Sequence, residues 1–484
     1  MRYAAWELVK ATTDTRRRIL YINFYERHGK MIQSEGTFSL STNFHFINTL
    51  KSDSFDFQKS PNLKEAKKIF EYSDSKQGII DYSFLEWALE NNISYSSIWW
   101  FVVDICGKTD LPTKSVINTL FNKYIMYFDE SNNCVKFRFK SSGGTTNTNW
   151  FDDFVLAGIV YSGETFPIDI SALFNSFNIQ KSALDDPKLK HIANYNGENK
   201  DRLLDILKSK NVTTLLKTLY DSKDVYIHWS TQNLLFYSLA DIIDSISTDA
   251  CYNIYLKNML YEAAVSNQDI MRILAMFDYP NIKGEAINDF CTALQEWFKV
   301  ARASDNIEEY KNWNYLISKV MNIKTKKELS LITDNEDCLM IENFVSLYSL
   351  RIQIFANSEL YFDECGIVQD NIDRFNDVLC TAKKPRYKFC NSKNNKLISL
   401  SDMITGLTGA LMAYINTHNI NRIKKDISKL NPIQKENLRL FFKLRIKSSS
   451  YNMHFEHGSI IGSTIYKFEF ITNELGIDKR FIKH

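Results

Sequence analysis

The sequence predicts an α/β protein whose strands are separated by longer helical segments. Aromatic residues are abundant, with 33 Phe and 25 Tyr, whereas Gly and Pro number only 16 and 7 among 484 residues. Short runs of β-branched and aromatic residues recur between segments of helical periodicity. The apolar fraction of 44% and the charged fraction of 24% match an average globular chain, which excludes disorder, collagen and fibrous coiled coils.

The predicted strands begin after residue 120. Residues 124–128 form a continuous apolar run that predicts a buried strand, and residues 135–140 alternate as a half-exposed strand does. Residues 154–161 and 224–229 predict two more strands, and residues 360–363 predict a short one. The first three of these strands follow one another closely, which predicts a meander.

This pattern divides the chain into five segments. At about 100–200 residues per domain, a chain of this length forms either two to four domains or one core with large insertions. We expect, in order, a helical N-terminal domain, the first part of the core, a helical insertion, the second part of the core and a basic helical segment. These segments are residues 1–120, 121–246, 247–334, 335–420 and 421–484.

Composition also limits the setting in which the protein acts. The formal net charge is +2, so a polyanion must bind to local patches rather than to the field of the whole molecule. The eight cysteines are scattered without a Cys-x-x-Cys pair, so we expect reduced thiols. We see no signal peptide in residues 1–6 and no apolar run long enough to span a bilayer. We therefore expect a cytoplasmic protein that does not bind membranes.

Three aspartates next to apolar elements predict a site for divalent cations. Asp129 follows the first apolar run, Asp363 closes the last one, and Asp402 lies in the apolar helix predicted for residues 397–414. Because ligands gather at the carboxyl ends of strands in α/β sheets, these carboxylates can form a cage of oxygen atoms. Such a cage suits Mg²⁺ or Mn²⁺ rather than Zn²⁺. As the alternative, Asp129 is a turn residue and Asp402 a helix N-cap.

The sequence around these aspartates is similar to a bacterial family of unknown function that is predicted to be RNase H-like. The similarity rests on an Asp-Glu-Ser motif at a strand end and on an apolar helix that contains Asp, with further segments between them. In order, the matching segments are residues 127–131 with 154–160, 186–191, 226–229 with 237–245, 361–364, and 400–406. The resemblance covers roughly residues 121–245 and 335–415.

The resemblance implies an RNase H-like mixed sheet that carries four metal-binding carboxylates. The implied catalytic and metal-binding residues are Asp129, Asp186, Asp363 and Asp402, with Asp129 bridging two cations. At Asp186 this sequence departs from the family, which has Glu there. Glu130 and Glu364 are second-choice ligands, because adjacent residues of a strand point to opposite faces.

Basic residues near these segments predict contacts with the backbone of a nucleic acid. Lys188 and Lys190 follow the second of the four aspartates, and Lys383, Lys384 and Arg386 form a basic run that includes an aromatic residue. Such runs follow phosphate backbones and offer a surface for base stacking. A solvated loop is the alternative.

We therefore expect a hydrolase, a nuclease that cleaves phosphodiesters with two Mg²⁺ or Mn²⁺ ions about 4 Å apart. The resemblance implies a role in bacterial defence against foreign DNA or RNA. The alternative is a catalytically inactive RNase H-like protein that acts as a scaffold in a complex, and residues 1–120 offer a site for a protein partner. Carboxylates that lie scattered in the fold, or that are locked in ion pairs with lysines and arginines, would reject the hydrolase and leave only a mixed α/β fold.

Overall fold

The chain is described by a computed structural model. The described residues are 7–10, 19–27, 30–37, 60–75, 84, 87–88, 91–101, 122–131, 136–140, 142–197, 201–246, 250–302, 307–325, 329, 331–355, 357–378, 386–458 and 461–477. The strands are β1 (Glu7–Lys10), β2 (Ile19–Arg27), β3 (Lys30–Thr37), β4 (Ile125–Ser131), β5 (Phe137–Arg138), β6 (Asp153–Tyr161), β7 (Val225–Asn233), β8 (Leu339–Ile341), β9 (Glu359–Asp363), β10 (Arg386–Cys390) and β11 (Glu456–Gly458).

Helices make up most of the remaining described structure. They are α1 (Leu63–Ser75), α2 (Tyr95–Trp99), α3 (Ile170–Ser176), α4 (Leu189–Ile192), α5 (Arg202–Ile206), α6 (Lys210–Asp221), α7 (Leu234–Ile246), α8 (Ala250–Ser266), α9 (Asp269–Met276), α10 (Ile287–Ala301), α11 (Ile307–Ile323), α12 (Val345–Ile354), α13 (Gly366–Val378), α14 (Lys396–Thr417), α15 (Ile420–Lys429), α16 (Pro432–Tyr451) and α17 (Gly462–Glu474).

A six-stranded mixed sheet organises the molecule, with strand order β10-β9-β4-β6-β7-β11. The neighbours β4, β6 and β7 are antiparallel, whereas β9 and β10 run parallel to β4 and β11 runs parallel to β7. The α/β class predicted from the sequence is therefore confirmed. The carboxyl ends of β4, β9 and β10 lie together at one end of the sheet.

Helices pack on both faces of this sheet. Alternation along β4 directs Met126 and Phe128 into one apolar core, which takes side chains from α7 to α13. The same alternation directs Tyr127 into a second core, which takes side chains from α3 to α6 and from α14 to α17. The helices of the expected insertion thus cover one face, and the C-terminal helices cover the other.

The prediction of a helical N-terminal domain is wrong for its first part. In place of helices, β1, β2 and β3 form an antiparallel three-stranded sheet. The sequence of β2, ILYINFYER, is rich in β-branched and aromatic residues, which fit a pleated strand better than a helix. Farther along, α1 and α2 are helical as expected.

Two further strands pair in ways that the sequence did not predict. The alternating residues 135–140 contribute only the short strand β5, which pairs with β8 outside the main sheet. The meander is therefore built from β4, β6 and β7. The C-terminal segment, expected to be helical, also adds the edge strand β11, whose three residues are too few for a periodic pattern.

Helix α14 lies directly on β4 and β6. The Ser401 hydroxyl donates a hydrogen bond to the Tyr127 carbonyl (3.1 Å), and the Thr405 hydroxyl donates to the Ala157 carbonyl (2.9 Å). Gly158 permits this approach, because a Cβ atom there would lie 2.7 Å from the Ser401 hydroxyl and closer still to the Tyr127 carbonyl oxygen. The helix therefore has one fixed position on the sheet.

Among the described residues, α14 is also the one helix long and apolar enough to cross a membrane. Of its most apolar window, 89% is buried inside the protein. Its apolar side chains pack against the sheet and the C-terminal helices, so it is the central core helix of that face.

Replacing Gly158 with Ala should destabilise the protein by about 1–3 kcal/mol, because β4 or α14 must move to admit the methyl group. Urea unfolding followed by circular dichroism measures the change. The matched control is Gly366→Ala, where an added Cβ meets no atom within 4 Å. Equal unfolding midpoints for the two variants would contradict the close contact between α14 and the sheet.

Candidate functional site

Two parallel strands place Asp129 and Asp363 side by side. Strands β4 and β9 pair in parallel register, and each aspartate comes directly after the last paired residue of its strand. Two positions earlier, Tyr127 and Tyr361 stack on each other with ring centroids 4.8 Å apart on the face that carries α14. Because side chains two positions apart share a face, both carboxylates point to the α14 side of the sheet.

Helix α14 brings Asp402 to the same place. Its carboxylate accepts a hydrogen bond from the Leu189 backbone N–H (3.3 Å) and faces the Asp129 carboxyl within hydrogen-bonding reach. Asp129 itself is buried, with 5% of its surface exposed. Its Oδ1 atom accepts the Glu130 N–H (2.7 Å), but its Oδ2 atom has no N–H or O–H donor among the described residues. A proton or a cation held between the two carboxyl groups would satisfy this oxygen.

Asp186 and Lys188 complete the cluster. The Asp186 carboxylate accepts hydrogen bonds from the hydroxyls of Ser399 (2.6 Å) and Ser392 (3.3 Å). The Lys188 Nζ atom lies 3.6 Å from Asp186 and 3.7 Å from Asp402, and it donates to the Ser392 hydroxyl (3.2 Å). One ammonium group thus lies between carboxylates that come from two different elements.

The cluster holds more negative charge than Lys188 neutralises. Burial raises the pKa of Asp129 well above its ordinary value, and the nearby Asp402 and Asp363 raise it further. Burial also raises the pKa values of Asp402 and Asp363, although Lys188 acts in the opposite direction on both. Burial lowers the pKa of Lys188, but the four surrounding aspartates outweigh that effect, so its pKa is raised. We name Asp129, Asp186, Asp363, Asp402 and Lys188 the aspartate cluster.

The two glutamates next to the strand-end aspartates are held by partners outside the cluster. Glu130 points to the opposite face of β4, where the Tyr348 hydroxyl donates to it (3.2 Å). Burial raises the pKa of Glu130 to about 7, and Cys365 contributes to the increase. Glu364 is exposed and accepts a hydrogen bond from the Asn391 side chain (2.8 Å).

The predicted phosphate-binding residues do not all lie near the aspartate cluster. Lys190 is exposed on α4, close to Lys188. Arg386, however, begins β10 and forms an ion pair with Glu359 (3.7 Å) at the opposite end of the strands from the aspartates, about 13 Å away along the strand. Lys383 and Lys384 lie outside the described residues.

The chemistry of the donors fits a hard divalent cation, although their present spacing is that of an ion-pair cluster. No three His, Cys, Asp or Glu side chains in the described parts of the chain are grouped as a metal-ligand set. Lys188 occupies the position between Asp186 and Asp402. Carboxylate oxygens are the ligands that Mg²⁺ and Mn²⁺ prefer. Asp363 and Asp402 supply such oxygens, and so does the Oδ2 atom of Asp129, which accepts no hydrogen bond from the described residues. A cation bound here would compete with Lys188 for the Asp402 carboxylate.

Sequence reasoning missed the two serines of this site. Ser399 precedes Asp402 by three positions, which puts both on one face of α14. Ser392 follows β10 at the end of the sheet where the strand-end aspartates lie. A search for hydroxyls as well as carboxylates at strand ends and on the Asp402 face of the helix would have found both.

Comparison with models of protein families, with curated proteins and with solved structures gives no match to this chain. The geometry and electrostatics of the aspartate cluster are therefore the basis for assigning a function.

In the absence of divalent cations, Asp129→Asn should stabilise the protein at neutral pH by about 0.5–2 kcal/mol, because it removes a buried carboxylate that has too few partners. Carboxyls with a raised folded pKa bind protons more tightly in the folded state than in the unfolded state. The free energy of unfolding therefore falls as pH rises from the unfolded pKa, about 4, through the folded pKa. In the Asp129→Asn variant, the free energy of unfolding should decrease less over this pH range.

Urea unfolding in EDTA between about pH 4 and pH 9 measures this effect. Asp370→Asn, at an exposed position of α13, is the control and should leave the pH profile unchanged. A less stable Asp129→Asn variant with the parent's pH profile would mean that the carboxylate is satisfied in the folded protein.

Proposed function

We propose that this protein is a divalent-metal-dependent nuclease with an RNase H-like core, which hydrolyses phosphodiester bonds in DNA or RNA. The aspartate cluster is the observation that carries the proposal. Within the part of the chain that the structure describes, it brings together four carboxyl groups from distant segments against one ammonium group, and the most buried of them has an oxygen that no described donor reaches. Carboxyl groups whose pKa values are raised by burial and by neighbouring carboxylates are typical of functional sites.

The strand arrangement supports the RNase H-like part of this proposal. The antiparallel meander of β4, β6 and β7 is followed by β9 and β10, which run parallel to β4 on its other side. A mixed sheet with acidic residues at the ends of two of its strands is what the family resemblance implies. Here the helices α8 to α11 are inserted between the third and fourth of these strands.

In this proposal Asp129, Asp363 and Asp402 bind the cations directly. Asp186 is a neighbouring carboxylate that helps to stabilise the bound cations. Bound cations lower the pKa of a water molecule and stabilise the negative charge that develops on the leaving oxygen. Ser392 and Ser399 keep Asp186 oriented by their hydrogen bonds. Lys188, once free of its carboxylate partners, is a point charge that can bind a phosphate oxygen.

The ion pairs of Lys188 favour a second candidate function, an inactive scaffold with the same fold. A lysine between Asp186 and Asp402 neutralises part of the cluster, as in a purely structural network. The excess of carboxylates over ammonium groups makes the nuclease the better-supported candidate. Cation binding and cleavage, measured separately, distinguish the two.

Mn²⁺ should raise the thermal unfolding midpoint of the parent protein, by the equivalent of about 2.7 kcal/mol at a cation concentration 100 times Kd. Asp129→Asn should lose this shift, because it replaces the central ligand. Lys188→Met should bind Mn²⁺ more tightly than the parent, because the competing ammonium group is gone. A shift of equal size in Asp129→Asn and the parent would place the cation elsewhere.

Cleavage of labelled single-stranded and duplex DNA and RNA should require Mg²⁺ or Mn²⁺ and stop in EDTA. Asp129→Asn and Asp402→Asn should each reduce the rate at least about 100-fold, because ligand loss costs more than loss of a supporting residue. Glu130→Gln, adjacent in sequence but on the other face of β4, should cleave at a rate near that of the parent. Activity that survives both aspartate substitutions would reject the nuclease, and a parent that binds Mn²⁺ without cleaving would favour the scaffold.

A further inference from the structure

A polar cleft lies beside the aspartate cluster. Its volume is about 580 Å³, within the range of about 300–1,000 Å³ that small-molecule sites occupy. The cleft is lined by Asn194, Tyr195, Asn196, Asp205, Lys208 and Ser209. The lining combines one aromatic ring with two side-chain amides, while its two charged residues, Asp205 and Lys208, form an ion pair with each other (2.8 Å). An aromatic ring flanked by amides is a composition that suits a nucleobase.

The cleft is fixed to the helix that carries Asp402. The Leu189 N–H, at the start of the helix that precedes Asn194, donates to the Asp402 carboxylate (3.3 Å). The Arg202 side chain of α5, between the lining residues Asn196 and Asp205, donates to the Gly409 carbonyl (3.4 Å). Asp402 and Gly409 lie two turns apart on α14, so these two hydrogen bonds attach the segments that form the cleft to the face of α14 that bears the aspartate.

Hydrogen bonds also hold the walls of the cleft in place. The Ser209 hydroxyl donates to the Ile192 carbonyl, which ties one wall to the end of α4. The Asn437 side chain donates to the Ser209 carbonyl (2.9 Å), and the Arg202 side chain donates to the Gly197 carbonyl (2.7 Å). A cleft held in this way loses little conformational entropy when a ligand binds.

Tyr195 is the group in this cleft with the most specific chemistry. Its ring is half-buried, while the amides of Asn194 and Asn196 and the ammonium of Lys208 are exposed around it. Burial raises the pKa of the Tyr195 hydroxyl, and the negative charge of Asp402 raises it further, so the hydroxyl stays protonated. Tyr195 follows the last residue of α4 by three positions, and the first residue of that helix, Leu189, donates to Asp402, so the ring lies near the Asp402 end of the aspartate cluster.

We propose that this cleft binds a nucleobase of a single-stranded nucleic acid, stacked on Tyr195, with the adjoining phosphate directed toward the aspartate cluster. Stacking on an aromatic ring accepts every base, and the neighbouring amides can donate to and accept from base edges. Bases within a duplex are already stacked and paired, so the cleft selects single strands. The inference rests on the proposed nuclease function and adds its substrate class.

The test measures binding separately from cleavage. Labelled DNA and RNA single strands of about 12 nucleotides, and duplexes of the same length, are titrated with the protein in Ca²⁺, a hard cation that takes oxygen ligands. Tyr195→Ala should weaken single-strand binding by about 5- to 150-fold, whereas Tyr195→Phe should bind within about twofold of the parent, because it keeps the ring. Tyr195→Leu should bind single strands about as weakly as Tyr195→Ala, because leucine preserves bulk without a π-face.

Tyr255→Ala is the matched control, since Tyr255 is 44% exposed on α8 and lies on the other face of the sheet. Thermal unfolding midpoints establish that each variant is folded, and Tyr195→Leu carries the test if the alanine variant unfolds. Binding by Tyr195→Ala equal to that of the parent, or a parent that prefers duplex, would overturn the inference. Stacking-dependent binding by a parent that never cleaves with Mg²⁺ or Mn²⁺ would instead reject the nuclease and leave the cleft assignment standing.

Discussion

The contact between α14 and the central strands is the constraint on which the site depends. Ser401 and Thr405 hydrogen-bond to strand carbonyls, and at Gly409 a side chain would collide with β4. Because the helix lies within hydrogen-bonding distance of the sheet, the Asp402 carboxylate faces Asp129. Backbone packing therefore buries the two carboxyl groups side by side, and this burial raises the pKa values of both. Lowering those pKa values would require a different position of the helix.

Such an arrangement makes stability and function compete. Burying carboxylates together costs free energy that a hydrophobic contact would not, and natural proteins accept that cost mainly at functional sites. Lys188 reduces the cost without removing it, since it contacts Asp186 and Asp402, whereas Asp129 Oδ2 meets no donor from the residues that the structure describes. The same lysine fits both states of the proposed enzyme, as a counter-ion when no cation is bound and as a phosphate ligand when one is.

The sequence predicted the parts of this architecture that have a local pattern. Asp129 and Asp363 each follow an apolar run, so the strand-end rule identified them, and the apolar helix around Asp402 has a clear composition. The location of Arg386 at the far end of β10 follows from parallel register, which no local pattern reveals. The edge strand β11 and the partner of β5 likewise depend on contacts between residues far apart in sequence. Tyr195 was not identified because its loop has no periodicity, and only the fold places it beside Asp402.

Helix α14 also ties the cleft to the aspartate cluster. The Leu189 N–H at the start of α4 bonds directly to the Asp402 carboxylate, and a hydrogen bond to an ionised carboxylate is stronger than one to a neutral acid. The Arg202 side chain bonds to the Gly409 carbonyl two turns farther along the same helix. Because both segments of the cleft are attached to α14, the helix that positions Asp402 against Asp129 also sets where Tyr195 lies relative to that carboxylate.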